Sequence, residues 1–179
     1  MTPWFIATER FSPSDKPQDW PKYVARSGLT QLDEVVSLDC LLCPSVLREI
    51  KDTYWSHIVD EDFMLHFFTD FDFLIREVVR IPNKNLLCVF RNPTRHPEAP
   101  SVARFEFIGY DLVDIWCGNS ALTNCGGFPK AFSNQELSSK GLLTSHERAT
   151  EVQRALRECY RTEDHANCHV WAVYRAVGL

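Results

Sequence analysis

The stretch CHVWAVYRAV, residues 168–177, decides how the sheet of this protein is built. Its middle positions are apolar one after another, which is typical of an extended chain covered on both faces. We therefore predict that it forms an interior strand. The apolar run at residues 86–90 has the same character and predicts a second strand covered on both faces.

Working outward from these runs, we expect further strands at residues 4–10, 32–42 and 102–110, where β-formers cluster or alternate. Helical spacing predicts helices at residues 44–59 and 144–160, the second with a capping box of Thr144 and Glu147. Residues 60–80 predict a helix followed by a strand that ends near Ile81. The stretch PNKN, residues 82–85, predicts a hairpin turn.

These elements predict an α+β fold with one mostly antiparallel or mixed sheet and two or three helices packed on one side. A chain of 179 residues fits a single domain, residues 1–179. Prolines at positions 13, 17 and 21 predict an irregular segment at about 11–23, attached to the body by Trp20 and Tyr23.

Composition excludes several classes of function. The net charge is −5 and the basic residues form no stripe, so we expect no nucleic-acid partner. No apolar run is long enough for a membrane helix, so we expect no membrane association.

The first residues do not resemble a secretory signal, and the chain has seven cysteines, an odd number. Both observations favour a cytoplasmic location with reduced thiols. Motifs for nucleotide binding and serine hydrolysis are absent, we expect no cofactor, and the oligomeric state stays open.

The first candidate site is the stretch Asn-Cys-Gly-Gly around Cys125. Successive glycines allow backbone N–H groups to converge on an oxyanion, and a nearby histidine would activate the thiol. His165 and His169 are the candidate bases, with Asn167 or Asp114 to orient the ring. This pattern predicts a cysteine-dependent hydrolase or transferase. The alternative interpretation is a tight turn with a small buried cysteine.

The second candidate is a structural zinc site at Cys40 and Cys43, whose spacing is typical of zinc ligands or a redox pair. Cys168, with His165 or His169, could complete the four ligands. The two leucines between the cysteines favour a core position instead.

The third candidate is a surface that combines acidic and aromatic side chains. Its carboxylates are Asp60, Glu61, Asp62, Asp70, Asp72, Asp111 and Asp114. Acidic charge with aromatic anchors is typical of protein interfaces. The leading hypothesis is therefore a protein-binding or inhibitory module of the immunity type, whose partner is another protein with a basic surface.

Overall fold

The computed structural model describes residues 1–59, 65–116, 118–124 and 127–178. Along this part of the chain the elements are β1 (Trp4–Glu9), α1 (Trp20–Ser27), α2 (Phe71–Val78), β2 (Lys84–Arg91), β3 (Phe105–Asp114), α3 (His146–Cys159) and β4 (Cys168–Ala176). Short 3-10 helices lie at Asp52–Tyr54, Asn134–Glu136 and Asp164–Asn167. The predicted α+β class is confirmed.

The four strands form one antiparallel sheet in the order β1-β2-β4-β3. β4 therefore pairs on both sides, and its residues 170–174 are all buried. β2 is the other central strand, with residues 87–90 buried. Both predictions of strands covered on two faces are confirmed. A bulge between Phe107 and Gly109 shifts the register of β3 against β4.

All three α-helices pack against one face of the sheet. Tyr23 of α1, Leu74 of α2 and Val152 of α3 belong to one buried cluster with Leu112 and Ala172 of the sheet. The expectation that the helices lie on one side is confirmed. The longest of them, α3, has 14 residues, so within the described residues no helix has the length and apolar character to cross a membrane.

Irregular segments cover the opposite face of the sheet. Leu38, Phe67 and Leu142 pack there in a second buried cluster that includes Val89 and Trp171. The rings of Phe67 and Trp171 are stacked, with centroids 5.0 Å apart. Because both faces are covered, the central strands are apolar at consecutive positions instead of alternating.

The helix predicted at residues 144–160 is α3, but its cap lies one residue later than expected. Ser145, not Thr144, accepts the hydrogen bond from the N–H of Arg148 at 3.1 Å. Of the four residues whose spacing predicts a buried face, Ala149, Val152 and Leu156 are buried, whereas Tyr160 is the C-cap and only half-buried.

The segment predicted to be irregular at 11–23 contains the start of α1. Pro21 lies in the first turn of that helix, where no N–H donor is needed, so the proline is compatible with it. Trp20 and Tyr23 hold the segment as expected, with ring centroids 5.7 and 5.2 Å from Phe11. Gly28 ends the helix with a φ of 71° and donates its N–H to the carbonyl of Val24.

The helix predicted at residues 44–59 is wrong, apart from the 3-10 turn at Asp52–Tyr54. The start of the segment is extended because it pairs with the outer edge of β1. Glu9 donates its N–H to the carbonyl of Pro44 at 2.8 Å, and Val46 donates to Ala7 at 3.0 Å. Covering an edge strand satisfies backbone groups that a helix here would leave open.

The order predicted for residues 60–80 is reversed in the part that the structure describes. Phe68 is extended and exchanges two backbone hydrogen bonds with Phe5 at 2.7 and 2.8 Å, and α2 follows. Residues 79–83 join α2 to β2 and residues 84 and 85 already belong to β2, so the stretch 82–85 is not a hairpin turn. The strand predicted at 32–42 is also wrong: it is reduced to one bridge between Val35 and Phe11 and then a turn.

Candidate functional site

Two turns meet beside the end of β3. The first turn comprises residues 37–42, and the second comprises residues 114–116 and 118–124. Cys40 donates its N–H to the carbonyl of Gly118 at 2.8 Å, which joins the two turns directly. We call the surface that they present together the two-turn face.

Asp39 holds both turns through one carboxylate. Its Oδ1 accepts the N–H groups of Leu41 and Leu42 at 3.0 and 2.9 Å, which closes the first turn. Its Oδ2 accepts the N–H of Ser120 in the second turn at 2.8 Å. The side chain is buried, and burial raises the pKa of its carboxyl group in spite of these hydrogen bonds.

Asp111 of β3 lies beneath the same two turns. One oxygen accepts the hydroxyl of Ser37 at 2.6 Å and the N–H of Leu38 at 2.9 Å. The other accepts the hydroxyl of Ser120 at 2.6 Å and the N–H of Leu112 at 2.9 Å. Burial raises the pKa of this carboxyl group as well. Four donors from three segments thus converge on one buried side chain.

Further contacts complete the support of the second turn. Asp114 accepts the N–H groups of Trp116 and Asn119, each at 2.9 Å. Ser120 Oγ accepts the N–H of Leu122 at 3.1 Å, and the hydroxyl of Tyr23 donates to the carbonyl of Thr123 at 2.8 Å. The second turn is therefore tied to the sheet and to α1 by side-chain bonds.

Each turn presents one large apolar side chain to solvent. Leu41 is 69% exposed on the first turn, and Trp116 is 67% exposed on the second. The backbone N–H groups of Leu41 and Trp116 donate to the carboxylates of Asp39 and Asp114. Buried polar networks therefore hold two exposed apolar side chains on adjoining turns.

The structure places the predicted acidic surface differently from the expectation. Asp111 and Asp114 are fully buried, because they serve as acceptors for the two turns, and so they cannot contribute to a docking surface. Asp70 caps α2 by accepting the N–H of Phe73 at 3.0 Å, and Asp72 is exposed in the first turn of that helix. Asp60, Glu61 and Asp62 lie outside the described residues. The nearby aromatic side chains Phe67, Phe68 and Phe71 are buried in the core.

The predicted catalytic residues are only partly brought together. Cys125 lies outside the described residues. His165 is buried, with Nε2 at 3.9 Å from Oδ2 of Asp114 and its ring centroid 5.2 Å from that of Phe128. His169 points elsewhere, with Nδ1 at 2.7 Å from the side-chain amide of Asn92, and Asn167 is exposed. Burial lowers the pKa of both histidines, which favours their neutral forms.

Of the predicted zinc ligands, Cys43 and Cys168 belong to the same buried cluster, whereas Cys40 is half-buried. Cys43 is buried and donates its thiol to the carbonyl of Val35 at 3.5 Å, and Cys168 lies in the core on the helical side. Burial raises the pKa of Cys43 and raises that of Cys168 to about 12. Sγ of Cys40 lies 3.9 Å from Oδ1 of Asn119. In the described ranges no three His, Cys, Asp or Glu side chains are grouped to hold a metal ion.

Sequence reasoning missed Leu41, Trp116 and the carboxylate of Asp39. Leu41 and Leu42 were expected in the core together, but only Leu42 is buried. An aspartate followed by a short run to a cysteine-proline pair is compatible with an Asx turn, and that signal could have placed Leu41 at the tip of a turn.

Comparison with known proteins identifies no relative. The chain matches no protein-family model, no curated protein and no solved structure.

Proposed function

We propose that this protein is a protein-binding module that docks its partner on the two-turn face. The observation that carries the proposal is the pair of exposed apolar side chains, Leu41 and Trp116, on turns fixed by buried carboxylates. Tryptophan is enriched among the residues that dominate binding energy at protein interfaces. Aromatic side chains supply apolar area with few rotatable bonds.

The hydrogen bonds that hold the two turns support the same function. Burying a carboxylate is costly unless several donors satisfy it, and within the described residues Asp39 accepts three hydrogen bonds and Asp111 four, which hold the two turns in place. What they hold is the shape of the two-turn face. A surface already in its binding conformation loses less entropy on association, which strengthens binding.

The test compares two double variants with the wild-type chain by quantitative capture of partners from the cells that make the protein. The double variant Leu41→Ser with Trp116→Ser removes the proposed anchors. A matched double variant, Val102→Ser with Trp55→Ser, removes apolar side chains that are 58% and 62% exposed elsewhere. We expect one set of captured proteins to be missing only with the first double variant. The same proteins should bind the purified wild-type chain. Equal recovery with both double variants would show that the two-turn face does not bind these partners.

An inhibitory role of the immunity type, with a cytoplasmic location, is the form of binding that composition predicts. In that case the captured partner loses its own activity when the wild-type chain is added. The double variant at Leu41 and Trp116 then leaves the partner active.

A cysteine-dependent hydrolase or transferase is the second candidate. It is favoured by the buried pair of His165 and Asp114, and by the absence of any hydrogen-bond partner for Nε2 of His165 among the described residues. Phe128, which contacts His165, follows Cys125 by three residues in the sequence. If the hypothesis holds, Cys125 is alkylated rapidly near pH 6, and His165→Ala slows this labelling whereas His169→Ala does not. Equal, slow labelling in all three chains would eliminate it.

A further inference from the structure

A groove of about 450 Å³ runs along the side of the first turn, between α1 and residues 41–48. Its apolar part is formed by Phe11, Tyr23 and Leu42, with the exposed Leu41 at its rim. The rings of Phe11 and Tyr23 pack edge to face, with centroids 5.2 Å apart. Leu41 therefore belongs both to this groove and to the two-turn face.

The charges around the groove are opposite in sign to the net charge of the chain. Lys16, Lys22, Arg26 and Arg48 line it, against the carboxylates Glu9 and Asp19. The groove thus has two more positive than negative side chains, although the whole chain has a net charge of −5. An excess of one sign in a concave site attracts ligands of the opposite sign.

The ion pairs leave part of this positive charge uncompensated. Glu9 is shared by two cations, with Lys16 Nζ at 2.8 Å and Arg48 at 2.5 Å. Lys22 lies 3.6 Å from Asp19, and both side chains are mostly exposed. In the described part of the chain Arg26 forms no ion pair, and it lies in the last turn of α1.

We propose that the groove docks an acidic polypeptide segment of the partner, whose apolar side chain enters beside Leu41 and Tyr23. This inference rests on the proposed function and adds the chemistry of the partner. Positive side chains around an apolar base of the groove are complementary to a segment with carboxylates on either side of one apolar residue. The segment would continue from the groove across Leu41 toward Trp116. The partner therefore offers an acidic segment, where composition predicted a basic surface.

The experiment measures fluorescence anisotropy with three labelled peptides of equal length that share one central leucine. Their flanks consist of glutamate, glutamine or lysine. We expect the glutamate peptide to bind most tightly, and its affinity to fall as NaCl is raised, because exposed charges are screened. Arg26→Glu reverses one charge at the rim and should weaken this binding by about tenfold.

Arg154→Glu is the matched control, since Arg154 is an exposed arginine on α3 and does not line the groove. It makes the same change of charge and should leave binding of the glutamate peptide unchanged. Leu41→Ser should weaken binding of the glutamate peptide without altering its salt dependence, because it removes an apolar contact.

Three results would overturn the inference. One is equal or tighter binding of the glutamine or lysine peptide, and another is equal loss of binding in Arg26→Glu and Arg154→Glu. The third is binding to phosphatidylglycerol vesicles with none to the peptides, which would assign the groove to an anionic membrane surface. The proposed function is tested separately: if Leu41→Ser with Trp116→Ser still loses the cellular partner, the module stands and only the acidic partner is withdrawn.

Discussion

Glu34 and Asp111 are both buried acidic side chains, but their surroundings have opposite effects on their pKa values. Burial is the largest influence on Glu34 and raises its pKa, but hydrogen bonds from Lys140 at 2.7 Å and Arg175 at 2.8 Å outweigh it, and the net pKa is lowered. Among the described residues the donors to Asp111 are all neutral, and burial raises its pKa. The two residues should therefore contribute to stability in opposite directions as the pH changes.

Glu34→Gln should lower the free energy of unfolding by about 2 kcal/mol at pH 7, because charged hydrogen bonds are lost. Since the folded pKa of Glu34 is lowered, its contribution is fully present above the unfolded pKa of about 4.3. The difference between wild type and variant should shrink as the pH falls through that range and below it. Urea denaturation from pH 3 to 7 measures this difference. Glu106→Gln, at an exposed pair with Arg104, is the control and should change stability little.

Asp111→Asn should also destabilise the protein, because an amide nitrogen would face the N–H of either Leu38 or Leu112. One unpaired buried N–H costs about 1–3 kcal/mol. Here the pH dependence has the other sign: a raised pKa means that wild type loses stability as the pH rises above about 3.9. The difference from the variant should therefore be largest at low pH. The exposed Asp33→Asn serves as control, and a difference that grew with pH would contradict the assignment.

At the scale of elements, sequence periodicity predicts the helices and strands that are stabilised by the apolar pattern of their own residues. β4, β2 and α3 are of this kind: two continuous apolar runs and one amphipathic helix. The segments at 32–42, 44–59 and 65–80 are governed by distant partners instead. Pro44, Val46 and Phe68 bond to the edge of β1, so their local helical spacing is overridden.

The start of α2 provides a test of what determines where this helix begins, because two acidic residues lie there and only one is a cap. Asp70→Ala removes the side chain that accepts the N–H of Phe73 and should cost about 1 kcal/mol of stability. Asp72→Ala removes an exposed charge of the same sign in the first turn and should lower stability by only about 0.3 kcal/mol. The midpoints of urea denaturation compare the two. Equal shifts would mean that Asp70 does not determine where the helix begins.

At the scale of the whole molecule, the fold class and the side on which the helices pack could be predicted from the sequence, but the two-turn face could not. Asp39 and Ser120 are separated by 81 residues, and Ser37 and Asp111 by 74. No local pattern reports such pairs. The sequence places Asp111 and Asp114 among acidic surface residues because acidic residues are rarely buried, and only the fold reveals the donors that make burial possible.

The two-turn face is the central claim, and cross-linking from within that face tests it most directly. Trp116 would be replaced by the photoreactive residue p-benzoylphenylalanine, with the same replacement of Trp55, which is similarly exposed, as the matched control. After irradiation in the cells that make the protein, we predict one discrete cross-linked species from position 116 that is absent from position 55. No species from position 116, or the same species from both positions, would contradict the account.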